Sequence, residues 1–234
     1  MGRLDGRLAL ITGASRGLGA ALAERFAEEG ARLVLIARTA GGLEEVDDRV
    51  RALGAEATLV PQDLTQAEAI DELGGVLAKR FGHLDILVGN AAEQSNPSPL
   101  AHTDPKAFER TLTINTTTNY RLIRSLDPLL RASPSGSATF VTADVGAVPR
   151  AYFGAYAASK AALESLVMTY AAETEKTDLR VNLVDPGPMR TRLRGKAFPG
   201  EDKEALALPN DRTDIFVDLA EAGCRHHGKR FEAS

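Results

Sequence analysis

An apolar run, Leu8-Ala9-Leu10-Ile11, leads directly into Thr12-Gly13-Ala14-Ser15-Arg16-Gly17-Leu18-Gly19. Behind it Leu18, Leu22 and Phe26 recur every four residues, and Gly30 follows. The run reads as a short buried strand and the recurrence as one face of a helix. Gly30 stands where a left-handed C-terminal cap belongs. Strand, glycine turn and helix in register form the setting that a dinucleotide fingerprint requires. Glycines let the backbone turn tightly and come close to a pyrophosphate, whose charge the helix N-terminus favours. The spacing here, Gly-x-x-x-Gly-x-Gly, differs from the commoner Gly-x-Gly-x-x-Gly. A glycine turn with no ligand is the competing reading.

The alternation then repeats. Leu33 to Ala37 reads as a second strand, and Leu43 to Leu53 as a helix closed by Gly54. Ala57 to Val60 leads to Asp63 and a helix from Ala67 to Phe81. A fourth strand, Leu84 to Val88, ends in Gly89-Asn90-Ala91-Ala92, and a helical region spans Asp104 to Arg131 with a break near Pro128. Ala138 to Thr142 is a fifth strand, with a helix carrying Tyr156 and Lys160 after it. Val181 to Val184 is a sixth strand, closed by Asp185-Pro186-Gly187-Pro188, and Gly228 to Glu232 a seventh, at an edge. Ser133-Pro134-Ser135-Gly136-Ser137 reads as a surface loop. Strands alternating with helices predict an α/β fold: a doubly wound, mostly parallel, seven-stranded Rossmann-like sheet with helices on both faces. Residues 1–234 suffice for one domain.

The bulk properties narrow the class. A formal charge of −4 gives no pull towards nucleic acid or an anionic membrane. No apolar stretch nears the roughly 18 residues of a membrane helix. Cys224 stands alone, so no internal disulfide can form, which fits a reducing compartment. Met1 to Gly6 carries two charges and runs straight into the first strand, which does not read as a signal peptide. A cytoplasmic protein is the expectation. His226-His227 has no partner at ligand spacing, so no metal site is expected.

Tyr156-Ala157-Ala158-Ser159-Lys160 places a phenol and an ammonium four residues apart, on one face of a helix. A cation beside a phenol favours the phenolate and lowers a pKa that starts at about 10. Tyr156 is therefore a candidate acid/base.

Taken together, the glycine turn, Asp63, Asn90-Ala91, Asn115 in Leu112-Thr113-Ile114-Asn115, the Tyr156/Lys160 pair, and Pro186-Gly187 with Thr191 resemble a short-chain dehydrogenase/reductase, over Gly6 to about Phe231. The resemblance implies a nicotinamide cofactor, an alcohol–carbonyl redox reaction and a homodimer or homotetramer. By the same resemblance Tyr156 is the acid/base, Lys160 its partner and a ribose contact, and Asn115 part of a water-linked proton relay. The cofactor would lie against Gly13, Ser15, Arg16, Gly17, Leu18, Gly19, Arg38, Asp63, Leu64, Asn90, Ala91, Tyr156, Lys160, Pro186, Gly187 and Thr191. Each of the following also has a structural reading. Asn115 would satisfy backbone groups, Asp63 would order a turn or cap a helix, Asn90 would tie down a loop, and Thr191 would be an N-cap.

Two positions shape the expected chemistry. A chain built for NAD usually carries an acid about 20 residues beyond the glycine turn. Here the region reads Ile36-Ala37-Arg38-Thr39, and Arg16 lies within the turn itself. Two guanidinium groups suit a 2′-phosphate, so NADP(H) is expected over NAD(H), which stays possible. The resemblance also implies a serine thirteen residues before the tyrosine, where this chain has Ala143. Either polar neighbour, Thr142 or Asp144, could replace it only if the strand end bends, and Thr142 is the candidate. The main expectation is an NADPH-dependent reductase of a small carbonyl compound, with residues 189–209 as a substrate loop. The alternative is a weak or silent NADPH-binding scaffold or sensor.

Overall fold

The computed structural model describes residues 2–233. Met1, where the segment read as lacking a signal peptide begins, and Ser234, the last residue of the expected domain, lie outside that range. In chain order the elements are β1 (Leu8–Thr12), α1 (Gly17–Glu28), β2 (Arg32–Ala37), α2 (Ala40–Ala52), β3 (Ala57–Pro61), α3 (Ala67–Phe81) and β4 (Ile86–Gly89). Then come α4 (Pro105–Leu112), α5 (Thr118–Ala132), β5 (Ser137–Val141), α6 (Asp144–Ala147), α7 (Gly154–Thr174), β6 (Arg180–Asp185), α8 (Arg192–Ala197), α9 (Asp214–Ala220) and β7 (Lys229–Glu232).

The strands form one sheet in the order β3-β2-β1-β4-β5-β6-β7. Every pairing is parallel, so the expected architecture holds without an antiparallel strand. Period-two alternation decides which face each side chain joins. Ala9 and Ile11 of β1 and Leu33 and Leu35 of β2 pack with Phe26 of α1, Val46 of α2 and Phe216 of α9. Leu8, Leu10, Val34 and Ile36 pack on the other face with Leu73 of α3, Leu126 of α5 and Val167 of α7. Both faces are therefore covered, which explains why these strands read as unbroken apolar runs.

Between β1 and β4 the winding reverses. In an open parallel sheet this switch point leaves a crevice beyond the carboxyl ends of the strands. The glycine turn follows β1 and Asn90 follows β4, so both motifs stand at its mouth.

Two expectations need correction. The break in the long helical region is not at Pro128, which lies inside α5. Pro128 and Arg124, whose carbonyl it leaves unbonded, are both exposed, while Leu126, Leu129 and Leu130 are buried and hold the helix down. The break is instead a π-helical turn over Thr113–Thr117, which contains Asn115. The tract at 133–137 is only partly surface, because Ser133 and Ser137 are buried. The Ser133 hydroxyl donates to Asp85 Oδ1 at 2.5 Å and that of Ser137 to Leu219 O at 2.7 Å.

His227 also has a structural task. Its Nδ1 accepts from Val181 N–H at 3.2 Å and its Nε2 lies 2.8 Å from Ala171 O, tying β6 to α7.

Candidate active site

The glycine turn is shaped by what touches it. Gly13 has φ +68°, and a Cβ there would stand 2.9 Å from Ala91 Cα and 3.0 Å from Asn90 Nδ2. A Cβ on Gly19 would collide with the Gly13 carbonyl. Gly17 also has positive φ. No side chain caps the start of α1, and its first turn carries no acid. An uncapped helix N-terminus behind a tight glycine turn suits a phosphate. Leu18 is buried beneath this turn, and Ser15 abuts Gly42 in the first turn of α2.

Thr12 locks the turn to the end of β4. Its fully buried hydroxyl accepts from the N–H groups of Asn90 and Ala91, each at 3.0 Å, and donates to Val88 O at 3.3 Å. Asn90 Nδ2 donates back to Thr12 O at 2.8 Å. Asn90 thus does tie down its loop, as the structural reading of that residue holds. Thr12 stands at the head of the glycine motif, but nothing local reveals that its hydroxyl serves two backbone donors.

Arg16 and Arg38 stand exposed at the rim, and among the described residues neither has a carboxylate partner. The Asp63 carboxyl is held below its usual range by a hydrogen bond from the Thr65 N–H (2.9 Å), opposed by burial, then by the Thr65 hydroxyl (2.8 Å), with smaller contributions from the charges of Arg110 and Arg38. Asp63 therefore orders a turn. Leu64 O accepts from the Thr118 hydroxyl at 2.8 Å.

Asn115 is fully buried. Its Oδ1 accepts from Glu93 N–H and its Nδ2 donates to Glu93 O, both at 2.8 Å, and Nδ2 also reaches Ser159 Oγ at 2.9 Å. Ser159 Oγ in turn donates to Tyr156 O at 2.7 Å. The side chain thereby joins the segment after β4 to the helix bearing Tyr156. A π-turn is a common device for aiming a residue at a functional site.

Tyr156 lies in an apolar cluster with Val145, Phe153, Ala157 and Ala197, against which Ala143, Leu193 and Phe198 pack. Lys160 is buried on the same face of α7. Its Nζ donates to Val141 O at the end of β5, 2.7 Å away, and sits 5.6 Å from the Tyr156 ring centroid. Burial lowers the Lys160 pKa from 10.5 to about 8, against the pull of Asp185 and Glu164. Burial, then the charges of Asp185 and Asp144, push the Tyr156 phenol well above its usual value. This corrects the expectation of a phenol lowered by its neighbour. Desolvation outweighs an ammonium whose hydrogen bond goes to Val141.

Thr142 does not meet Tyr156 in the expected way. Its hydroxyl donates to Glu164 Oε1 at 2.6 Å. Arg230 from β7 bridges the same acid (3.3 Å) and Asp185 (2.9 Å). Asp185 Oδ1 also accepts from Gly187 N–H at 2.9 Å, fixing the bend at buried Pro186. Glu164, Asp185 and Arg230 thus form a charged floor beneath Lys160 that the sequence reading missed. Glu164 lies four residues after Lys160, a spacing that would have flagged it. Ala143 is the N-cap of α6, in extended conformation.

Thr191 caps α8, its Oγ1 accepting from Arg194 N–H at 3.2 Å. It also closes over the glycine turn: a Cβ on Gly17 would lie 3.5 Å from Thr191 Cγ2. The chain after β6 thereby crosses the crevice. No group of three or more His, Cys, Asp or Glu that could hold a metal occurs among the described residues. Nor is any helix among them long and apolar enough to cross a membrane.

A family model described as short chain dehydrogenase matches residues 7–202. The uncharacterized oxidoreductase YciK of Escherichia coli K12 is 32% identical, covering 98% of this chain and 92% of that protein. The 2,3-dihydro-2,3-dihydroxybenzoate dehydrogenase of Bacillus subtilis is 31% identical, over 85% of this chain and 76% of that one. A solved structure from Shigella flexneri, complexed with NADP, superposes with a TM-score of 0.95 at 32% identity, covering 100% of this chain and 99% of that one.

Proposed function

This chain belongs to the short-chain dehydrogenase/reductase family and is an NAD(P)-dependent oxidoreductase, and from that premise we propose that it is an NADPH-dependent reductase of a small carbonyl compound, or works in reverse. The observation that carries this reading is the buried Tyr156–Lys160 pair at the carboxyl end of β5, beside the switch-point crevice. The residues present fit the cofactor. Gly13, Gly17 and Gly19 leave the backbone bare beside an uncapped α1, and Arg16 and Arg38 are free to grip a 2′-phosphate. The NADP complex of the Shigella flexneri relative supports the same preference.

A nicotinamide bound there would supply a hydride to the carbonyl carbon. Tyr156 delivers its phenolic proton to the carbonyl oxygen, and the products are an alcohol and the oxidised cofactor. Burial keeps the phenol protonated, which suits a proton donor. Lys160, with a pKa of about 8, is predominantly charged at neutral pH and stabilises the phenolate left behind. Asn115 positions α7 through Ser159.

The substrate oxygen has no serine hydroxyl to meet at Ala143, and the hydroxyl of Thr142 is engaged by Glu164. The enzyme we propose is therefore slow, since one such donor is worth about 10²–10³ in rate. Retention of Tyr156, Lys160 and Asn115 together supports turnover over a silent scaffold. The chain would work as one domain, with residues 189–209 as its substrate loop, in a cytoplasmic homo-oligomer.

The test is NADPH and NADH consumption across a panel of aldehydes, ketones and quinones, with binding of both cofactors measured alongside. Carbonyl-dependent oxidation of NADPH in preference to NADH is expected. Tight NADPH binding with no turnover of any carbonyl would favour the scaffold.

A further inference from the structure

A concentration of positive charge in this acidic chain surrounds a cavity of about 520 Å³ lined by the segment after β6. Arg190, Arg192, Arg194, Lys196 and Lys203 line it, with Glu201 as the one acid. Ion pairing does not cancel this charge. Arg194 is held by Glu201 at 2.6 Å and Arg190 by Glu204 at 2.8 Å. Lys196 spends a hydrogen bond on the neutral Gln94 carbonyl at 3.1 Å. Arg192 and Lys203 have no carboxylate or hydrogen-bond partner among the described residues.

Two donors at this place are also unused. Arg190 Nε is buried without an acceptor, and so is Nε2 of Gln94, a residue 5% exposed whose carbonyl is bound by Lys196. A buried donor without an acceptor costs stability unless something supplies one.

Through Phe198 the cavity adjoins the cluster that holds Tyr156. Phe198 lines the cavity, stacks on Phe153 at 5.3 Å and packs on that cluster. The Arg194 guanidinium lies 3.8 Å over the Phe198 ring, forming a cationic shelf. One end of the space is thus cationic, its wall is aromatic, and that wall leads to the phenol.

We propose that this cavity receives the anionic end of the substrate, a carboxylate or phosphate held by Arg192 and Lys203, with an apolar body along Phe198 and Phe153 and the carbonyl at Tyr156. The proposal rests on the reductase reading for the carbonyl and on the cavity alone for the anion. A volume of this size suits a metabolite-sized ligand, and positive charge lining a cavity concentrates anions there.

The test compares 4-formylbenzoate with its methyl ester, and glyceraldehyde 3-phosphate with glyceraldehyde, in wild type and in Arg192→Ala/Lys203→Ala. Lys79→Ala, a remote exposed cation, is the control. The expected result is that one anionic probe beats its neutral partner about tenfold or more in kcat/KM, mostly through KM. The carboxylate and phosphate arms identify which anion is preferred. The double variant should erase that advantage and leave the neutral probe within about twofold. Terephthalate binding is measured by calorimetry in the presence of saturating NADP⁺, and should weaken about tenfold in the double variant. Terephthalate binding that depends on Arg192 and Lys203, with no turnover of any probe, would uphold the anion site and sink the reductase reading. Equal turnover of charged and neutral probes, or an advantage that survives the double variant, would overturn the anion site and leave the reductase standing.

Discussion

Replacing Thr12 by valine keeps the shape of the side chain and removes only its hydroxyl. That hydroxyl is fully buried and serves the N–H groups of Asn90 and Ala91, each at 3.0 Å. The bond it donates to Val88 O is long, at 3.3 Å, so its loss matters less. An unsatisfied buried donor costs about 1–3 kcal/mol. Two of them place the destabilisation at about 3 kcal/mol, a sizeable part of a typical total of about 5–15. With an m-value of about 3 kcal/mol per molar urea, the unfolding midpoint should fall by about 1 M. Thr12→Ser, which restores the oxygen, should recover most of that shift. Because the two donors start the segment facing the glycine turn, NADPH binding should weaken in Thr12→Val as well. A midpoint within about 0.2 M of wild type, with unchanged NADPH affinity, would refute the claim that this hydroxyl pins the switch point.

Arg38→Asp should cost little stability, since Arg38 is exposed and unpaired, and should shift kcat/KM by about tenfold or more from NADPH towards NADH; an unchanged ratio would exclude a 2′-phosphate contact. Ala143→Ser should raise kcat by about tenfold or more if a donor is missing there, measured as carbonyl-dependent NADPH oxidation. Lys160 makes kcat/KM fall as pH rises through about 8, because the ammonium is then lost. The same shift bears on stability with the opposite trend. Between pH about 8 and 10.5 the unfolded chain binds more protons at Lys160 than the folded one, so this residue's contribution to stability rises with pH over that window. Lys160→Met should flatten both trends, in rate profiles and in thermal melts respectively.

What the sequence made legible was local. Leu8 to Ile11, the spacing of Leu18, Leu22 and Phe26, and the glycines at 30 and 54, both with positive φ, carry their structural meaning within a few residues. The crevice followed because the alternation of strands and helices allows few topologies. Properties set by distant partners were not legible. Thr142 looked available until Glu164, from another element, took its hydroxyl. Tyr156 looked acidified by Lys160 until burial was counted, which no spacing encodes. Pro128 looked like a break because its missing N–H is a local fact, whereas the buried leucines that hold α5 together are a tertiary one. Arg230, from the last strand, could be placed beneath the site only by the fold.

Tyr156→Phe tests the central claim most directly, with NADPH affinity and carbonyl-dependent NADPH oxidation measured on the same protein. The variant loses one oxygen from an otherwise packed ring, so the fold and the cofactor crevice should be kept. The account predicts NADPH affinity within about threefold of wild type and a fall in kcat of about 10²–10⁴, the usual worth of a positioned general acid. Turnover that survives in Tyr156→Phe at the wild-type rate would contradict it.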